Sequence, residues 1–199
     1  MPFVTGLVLA AGGSQRLGAP KQLLPYNGRT LLDHVLNTAR ACDFDQAVCV
    51  IGGSADDIRA RVDLSDVDVV ENDHFGEGCS SSIAAALTAV DPRADVLVLM
   101  LGDQPGVTAE TVNALLAGRK DSPYAACAYE NGRGHPLAFA STTFEDLKAL
   151  HGDKGVWKLL DRAGEELIDV PVPGPIPRDV DTDADYRAVI AEAGQEATA

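Results

Sequence analysis

Apolar and polar positions along the chain sort into two alternating patterns. Uncharged apolar runs at 7–9, 47–51 and 96–101 lack the in-and-out alternation of a strand with one wet face, so they predict strands buried on both sides, and a further short strand is expected over 67–70. Between them, apolar residues recur at helical spacing. Leu31, Leu32, Val35, Leu36 and Ala39 predict a helix over 30–42 with Thr30 as its cap, and further helices are expected over 54–62, 83–90 and 108–116. Strand and helix alternating in this way favour an α/β fold, a parallel sheet with helices on both faces, whose ligands gather at the carboxyl ends of the strands.

The second half continues with a strand over 124–129 and a Gly-rich turn over 131–137 that enters another strand through Phe139. Helices over 143–150 and 154–160 are separated by Gly152 and Asp153, and a last strand is expected over 167–172. The segment PVPGPIP must run extended, delivering Asp179, Asp181 and Asp183 to a final helix over 184–193. A single domain over 1–193 with a frayed tail over 194–199 is expected.

Composition narrows the classes. With 199 residues and 46% hydrophobic content, the chain is long enough for one well-buried domain. A formal net charge of −14 argues against general binding to nucleic acid or to an anionic membrane. No apolar run approaches the roughly 20 residues of a membrane span, and no leader pattern opens the chain, so a cytoplasmic protein is expected. Cys42, Cys49, Cys79 and Cys127 form no C-x-x-C pair, which leaves reduced thiols as the default, and the four histidines share no zinc-like spacing.

The candidate chemistry lies at the strand ends. After the first run, Leu9 is followed by Ala10, Ala11, Gly12, Gly13 and Ser14, small enough for backbone N–H groups to approach a phosphate chain, with Arg16 and Lys21 in the same loop, Lys21 as a solvated cation. This is neither a Walker loop, since Gly18 is followed by Ala19 and Pro20, nor a G-x-G-x-x-G fingerprint. Asn72, Gly78, Ser80 and Ser82 precede or open the helix after the third strand, where polar caps and N–H groups suit a nucleotide. Asp103 ends a hydrophobic strand, a costly place for a carboxylate without a cation; magnesium is the simplest cation to supply. Asp181 is less distinctive, because Asp residues also collect at helix starts as caps.

The stretch LVLAAGGSQRLGAPKQLLP resembles the signature loop of nucleotidyltransferases of the molybdenum cofactor type, with Leu17 in place of the usual Met. The resemblance extends through the segments 72–82, 101–105, 132–136, 152–160 and 179–185. It implies a Rossmann-like three-layer sandwich with a mostly parallel sheet, of the nucleotide-diphospho-sugar transferase type. It also implies Mg2+ as cofactor, held by Asp103 and by Asp181 of the Asp-Val-Asp-Thr segment, with Arg16, Lys21 and Asp103 in catalytic roles. Ala10-Ala11 and Gly132-Arg133-Gly134-His135-Pro136 resemble the cytidylyltransferase branch. That branch implies CTP as donor, a molybdopterin-type acceptor, a client molybdoenzyme as partner, and Gln104, Gly134 and His135 on the acceptor side. The guanylyl branch, another phosphorylated acceptor, and non-catalytic cofactor delivery stay open as alternatives. Trp157 stands where the family commonly has Arg.

Overall fold

The computed structural model describes residues 1–14 and 16–196. Seven strands form one sheet: β1 (Val4–Leu9), β4 (Gln46–Ile51), β5 (Asp68–Glu71), β6 (Val96–Leu101), β7 (Tyr124–Tyr129), β8 (Gly132–Ala140) and β9 (Leu167–Pro171), in the order β5-β4-β1-β6-β8-β7-β9. Neighbours pair in parallel except at β8, which runs antiparallel to both β6 and β7. The central strands are buried on both faces, as uncharged runs require: Leu7 and Val8, Val48 to Ile51 and Val96 to Met100 are all within 1% of full burial.

Helices cover the two faces separately. Val8, Cys49, Val98 and Met100 pack against α1 (Leu31–Ala41), α2 (Ala55–Arg61) and α4 (Ala109–Arg119). Leu7, Val50, Leu99 and Phe139 pack against α3 (Cys79–Leu87), α5 (Phe144–Lys148) and α6 (Gly155–Ala163). The result is a three-layer α/β sandwich with a mostly parallel sheet. Thr30 caps α1 in a reciprocal capping box with Asp33.

Three features depart from the sequence-based expectations. The expected turn over 131–137 is confined to Glu130 and Asn131: β8 begins at Gly132, and its pairing with β7 shifts between Ala126 and Cys127, leaving His135 and Pro136 of β8 as extra residues. A small hairpin of β2 (Pro25–Tyr26) and β3 (Arg29–Thr30) turns on Asn27 and Gly28, whose φ of 48° and 78° suit a primed turn. The final helix α7 (Asp183–Glu196) continues past Ala193, the end of the expected domain; the rest of the expected tail, 197–199, lies outside the described residues. Among the described residues, no helix is long and apolar enough to cross a membrane.

Candidate active site

The sheet order reverses at β1. From β1 the chain crosses to β4 and β5 on one side, then returns to pair β6 on the other. Loops leaving β1 and β6 therefore diverge at the carboxyl edge and leave a crevice. Backbone bonds knit the strand ends around it: Ala10 donates to Val50 O at 2.8 Å, and Gly102 to Leu9 O at 2.8 Å. Gly102 is needed there, because a Cβ would come within 2.9 Å of Ala10 Cβ and 3.0 Å of Leu9 O.

The small-residue loop after β1 is held from within by Gln22, which sequence reasoning passed over. Its amide is buried and donates to Ala10 O at 2.7 Å and Gly12 O at 2.8 Å. Ser14 sits at φ 49° and accepts the Lys21 amide at 2.9 Å, closing the loop on itself. Lys21 and Gln22 share a 3-10 turn, Lys21–Leu23, so one side chain fixes the loop backbone while its neighbour enters the crevice.

Lys21 is not the solvated cation expected. Its side chain is only 15% exposed, and Nζ bridges two carboxylates, Asp103 Oδ2 at 2.5 Å and Asp181 Oδ1 at 2.9 Å. Arg16, 68% exposed, meets the other oxygen of Asp181 at 2.8 Å. Asp181 arrives because the strap after β9 bonds to the β6 loop, Val180 N donating to Asp103 O at 3.1 Å. Capping does not occupy Asp181: Thr182 and Asp185 cap α7 reciprocally, Asp185 N donating to Thr182 Oγ1 at 3.2 Å and Thr182 N to Asp185 Oδ2 at 2.9 Å.

Electrostatics follow from this placement. Burial pushes the Asp103 carboxyl above its ordinary value, against the pull of Lys21. The hydrogen bond from Lys21 holds Asp181 below the usual range. Burial opposes the charge on Lys21, yet the two carboxylates outweigh it and raise its pKa. Among the described residues, no group of three or more His, Cys, Asp or Glu is gathered to hold a metal. Asp103 and Asp181 instead converge from two loops on a single cation position. A two-carboxylate set fits magnesium or manganese, which take their remaining oxygens from phosphates and water.

The crevice holds a cavity of about 220 Å³ lined by Leu9, Ala10, Ala11 and Gly12 of the loop, Lys21, Gly78, Ser82 and Asp103, with Gln22, Phe75, Cys79 and Asp153 also on its walls. Gly13, Ser14, Arg16 and Asp181 are not among its lining residues. Asn72 and Ser80 turn inward. Asn72 donates to Ser81 and Ser82 hydroxyls at 2.9 and 3.0 Å and accepts from His74 N, and Ser80 donates to Gly152 O at 2.5 Å. The start of α3 is likewise engaged, with Cys79 N donating to Asp153 Oδ1 at 3.1 Å. Gly78, at φ 100°, permits this; a Cβ there would lie 2.7 Å from the same carboxylate oxygen.

None of the expected acceptor-side residues Gln104, Gly134 and His135 lines this cavity. The β6–β8 ladder ends at the Leu99–Leu137 pair, and His135 lies two residues before it on β8. His135 meets Trp157 edge-on at 5.4 Å, and burial pushes its imidazole down to about 4. Gly134 is buried against Ile176 and Tyr129, which a Cβ would approach to 3.0 Å. Gln104 is 4% exposed and donates to Pro177 O at 3.0 Å; among the described residues, its Oε1 is a buried side-chain oxygen without a hydrogen-bond partner.

Residues 6–167 match the family model of the MobA-like NTP transferase domain. The chain is 36% identical over 145 residues, 69% of its length and 71% of the relative's, to the nicotine blue oxidoreductase of Paenarthrobacter nicotinovorans. It is 49% identical, with a TM-score of 0.92 and 97% and 98% of the two chains covered, to a homologue of Mycobacterium tuberculosis Rv0371c from Mycobacterium sp. strain JC1. Rv0371c from Mycobacterium tuberculosis H37Rv, solved as a complex with manganese, is 43% identical with a TM-score of 0.84, covering 94% and 98%.

Proposed function

The chain belongs to the MobA-like NTP transferase family, and from that premise we propose that it transfers CMP from CTP to the phosphate of a molybdopterin-type acceptor, releasing pyrophosphate. The observation that carries this reading is the convergence of Lys21, Asp103 and Asp181 beside the small-residue loop at the β1–β6 crevice. Asp103 and Asp181 would hold Mg2+, and the manganese complex of Rv0371c supports a divalent ion as cofactor. When bound, the ion reduces repulsion between the two reacting anions and stabilises charge on the departing pyrophosphate.

The chain's own residues would do the rest. A phosphate monoester, with its second pKa near 6, is largely dianionic at neutral pH, so the acceptor can attack the α-phosphorus in line without a general base. Repulsion must be offset, and Lys21 and Arg16 supply fixed cations for the triphosphate. Ala10, Ala11 and Gly12 supply a close backbone surface for cytosine, while Gln104, Gly134 and His135 would receive the acceptor. Delivery of the product to a client molybdoenzyme belongs to the same reading. The test is turnover with each of the four NTPs, purified molybdopterin and Mg2+, following pyrophosphate and the dinucleotide product. CTP-dependent product is the expected result; a preference for GTP, or transfer only to another phosphorylated acceptor, would overturn the cytidylyl assignment.

A further inference from the structure

One wall of the crevice is aromatic, and its seat is built from two glycine loops. Phe75 follows β5 in a 3-10 turn, Phe75–Glu77, and is, among the described residues, one of few large hydrophobic side chains left exposed, at 36%. Its ring leans over the loop after β4 toward the loop after β1. A Cβ on Gly53 would stand 3.0 Å from ring atoms Cε2 and Cζ, and one on Gly13 would stand 3.3 Å from Cε2. Gly52 admits the Phe75 Cβ in the same way, at 3.1 Å. Three consecutive strand ends thus combine to hold one ring against the cavity lined by Ala10, Gly12 and Ser82.

An exposed aromatic ring is costly in water and is not needed to fill either sheet face, since Phe75 belongs to neither core. We infer that Phe75 is the stacking wall for the base of the nucleotide, and so a specificity-determining residue of this cleft; the inference rests on the nucleotidyltransferase reading. Every base offers a π-face, so the wall contributes affinity, while its fixed position beside Ala10 and Gly12 limits how wide a base fits. Phosphates gain nothing from it.

That last difference supplies the test. Calorimetry with Mn2+ would compare each of the four NTPs with Mn2+ and inorganic tripolyphosphate, which has the charge but no base. Phe75→Leu keeps an apolar cover over Gly53 and removes the π-face. Binding of the preferred NTP should weaken about tenfold, while tripolyphosphate binding stays within about twofold of wild type. Gly53→Ala, which drives a methyl into the ring from beneath, should give the same asymmetry. Equal losses for both ligands would make Phe75 a prop for the loops, and no loss for either would make it a bystander; both overturn the inference. If the wild-type protein binds no NTP more tightly than tripolyphosphate, the nucleotide reading itself fails.

Discussion

The carboxyl edge of the sheet has two halves with opposite characters. At β1 and β6, charges meet and satisfy one another: Lys21 bridges Asp103 and Asp181, Arg16 closes on Asp181, and Gln22 consumes the free carbonyls of the loop. Away from this cluster, at His135 of β8 and at Gln104 after β6, the groups are neutral and incompletely engaged: a depressed imidazole on His135 beside Trp157, and a buried Gln104 oxygen without a partner among the described residues. The difference suggests a division of labour. A polyanion and its metal would be met by charges gathered at one point, with the ion taking the two carboxylates over from Lys21 and leaving that cation to the phosphates. A neutral surface discriminates by leaving groups unpaired until the right partner arrives.

The largest effect is expected at Asp103. Asp103→Asn keeps the size of the side chain but removes one of the two carboxylates that meet Lys21, leaving Lys21 to Asp181. Metal-dependent turnover should fall below detection, with far-ultraviolet circular dichroism unchanged. Mn2+ affinity, read by electron paramagnetic resonance without nucleotide, should fall with it. Unchanged metal dependence would make Asp103 a turn residue and erase the contrast between the halves.

Lys21→Met comes next, with a loss in kcat/KM on the order of 10²–10³, the scale of removing one preorganised charge opposite a developing anion. A solvated cation would affect turnover alone. Because Lys21 is partly buried between two carboxylates, its loss leaves them facing each other, and the variant should also melt lower without metal than with it. Added Mn2+ restoring the melt to near wild type would show that Lys21 and the ion compete for the same position. A melt insensitive to Mn2+ would refute that.

Much of this was legible in the sequence. The strand runs and the Thr30 cap are local signals, and they suffice for the layers of the sandwich. The direction of β8 was not legible, because pairing is set across the sheet, and a stretch with Gly132, Gly134 and Pro136 reads locally as a turn. Asn27-Gly28 is a strong hairpin signal that was present and unused. In the site, Lys21 and Asp103 stand out by position. Asp181 could not be told from its acidic neighbours until Thr182 and Asp185 were seen to do the capping. Gln22 and Asp153 act on backbone groups that folding brings near, and no local pattern announces them.

On the neutral half, His135 offers a test by pH. An unfolded imidazole takes a proton below about 6.5, whereas the folded one resists until about 4. Between those values the unfolded state binds more protons, so stability is fully present above the unfolded pKa and falls as pH drops through the window. At pH 5 the loss is about 2 kcal/mol. Asp103 slopes the other way, because its folded pKa is raised by burial, and Asp181 acts only below the ordinary carboxylate range. Denaturant melts at pH 7 and pH 5 should therefore differ more for wild type than for His135→Phe. Equal pH dependence in the two proteins would place the His135 ring in water.

The smallest effect is expected at Gln104, and it separates the halves most cleanly. Gln104 lies next to Asp103 in sequence but points under the strap, where its amide holds Pro177 O and its own oxygen goes unpaired. An unpaired buried acceptor costs about 1–3 kcal/mol, so removing it offsets much of the loss of the Pro177 contact. Gln104→Leu should then leave stability within about 1 kcal/mol of wild type. If the orphaned oxygen is a seat for a donor on the acceptor, the KM for acceptor should rise about three- to tenfold while the KM for nucleotide and the metal dependence stay where they were. Steady-state kinetics with each substrate varied in turn reads this split. A rise in the KM for nucleotide instead would assign Gln104 to the charged half, and the boundary between the two would have to be drawn beyond the strap rather than at the end of β6.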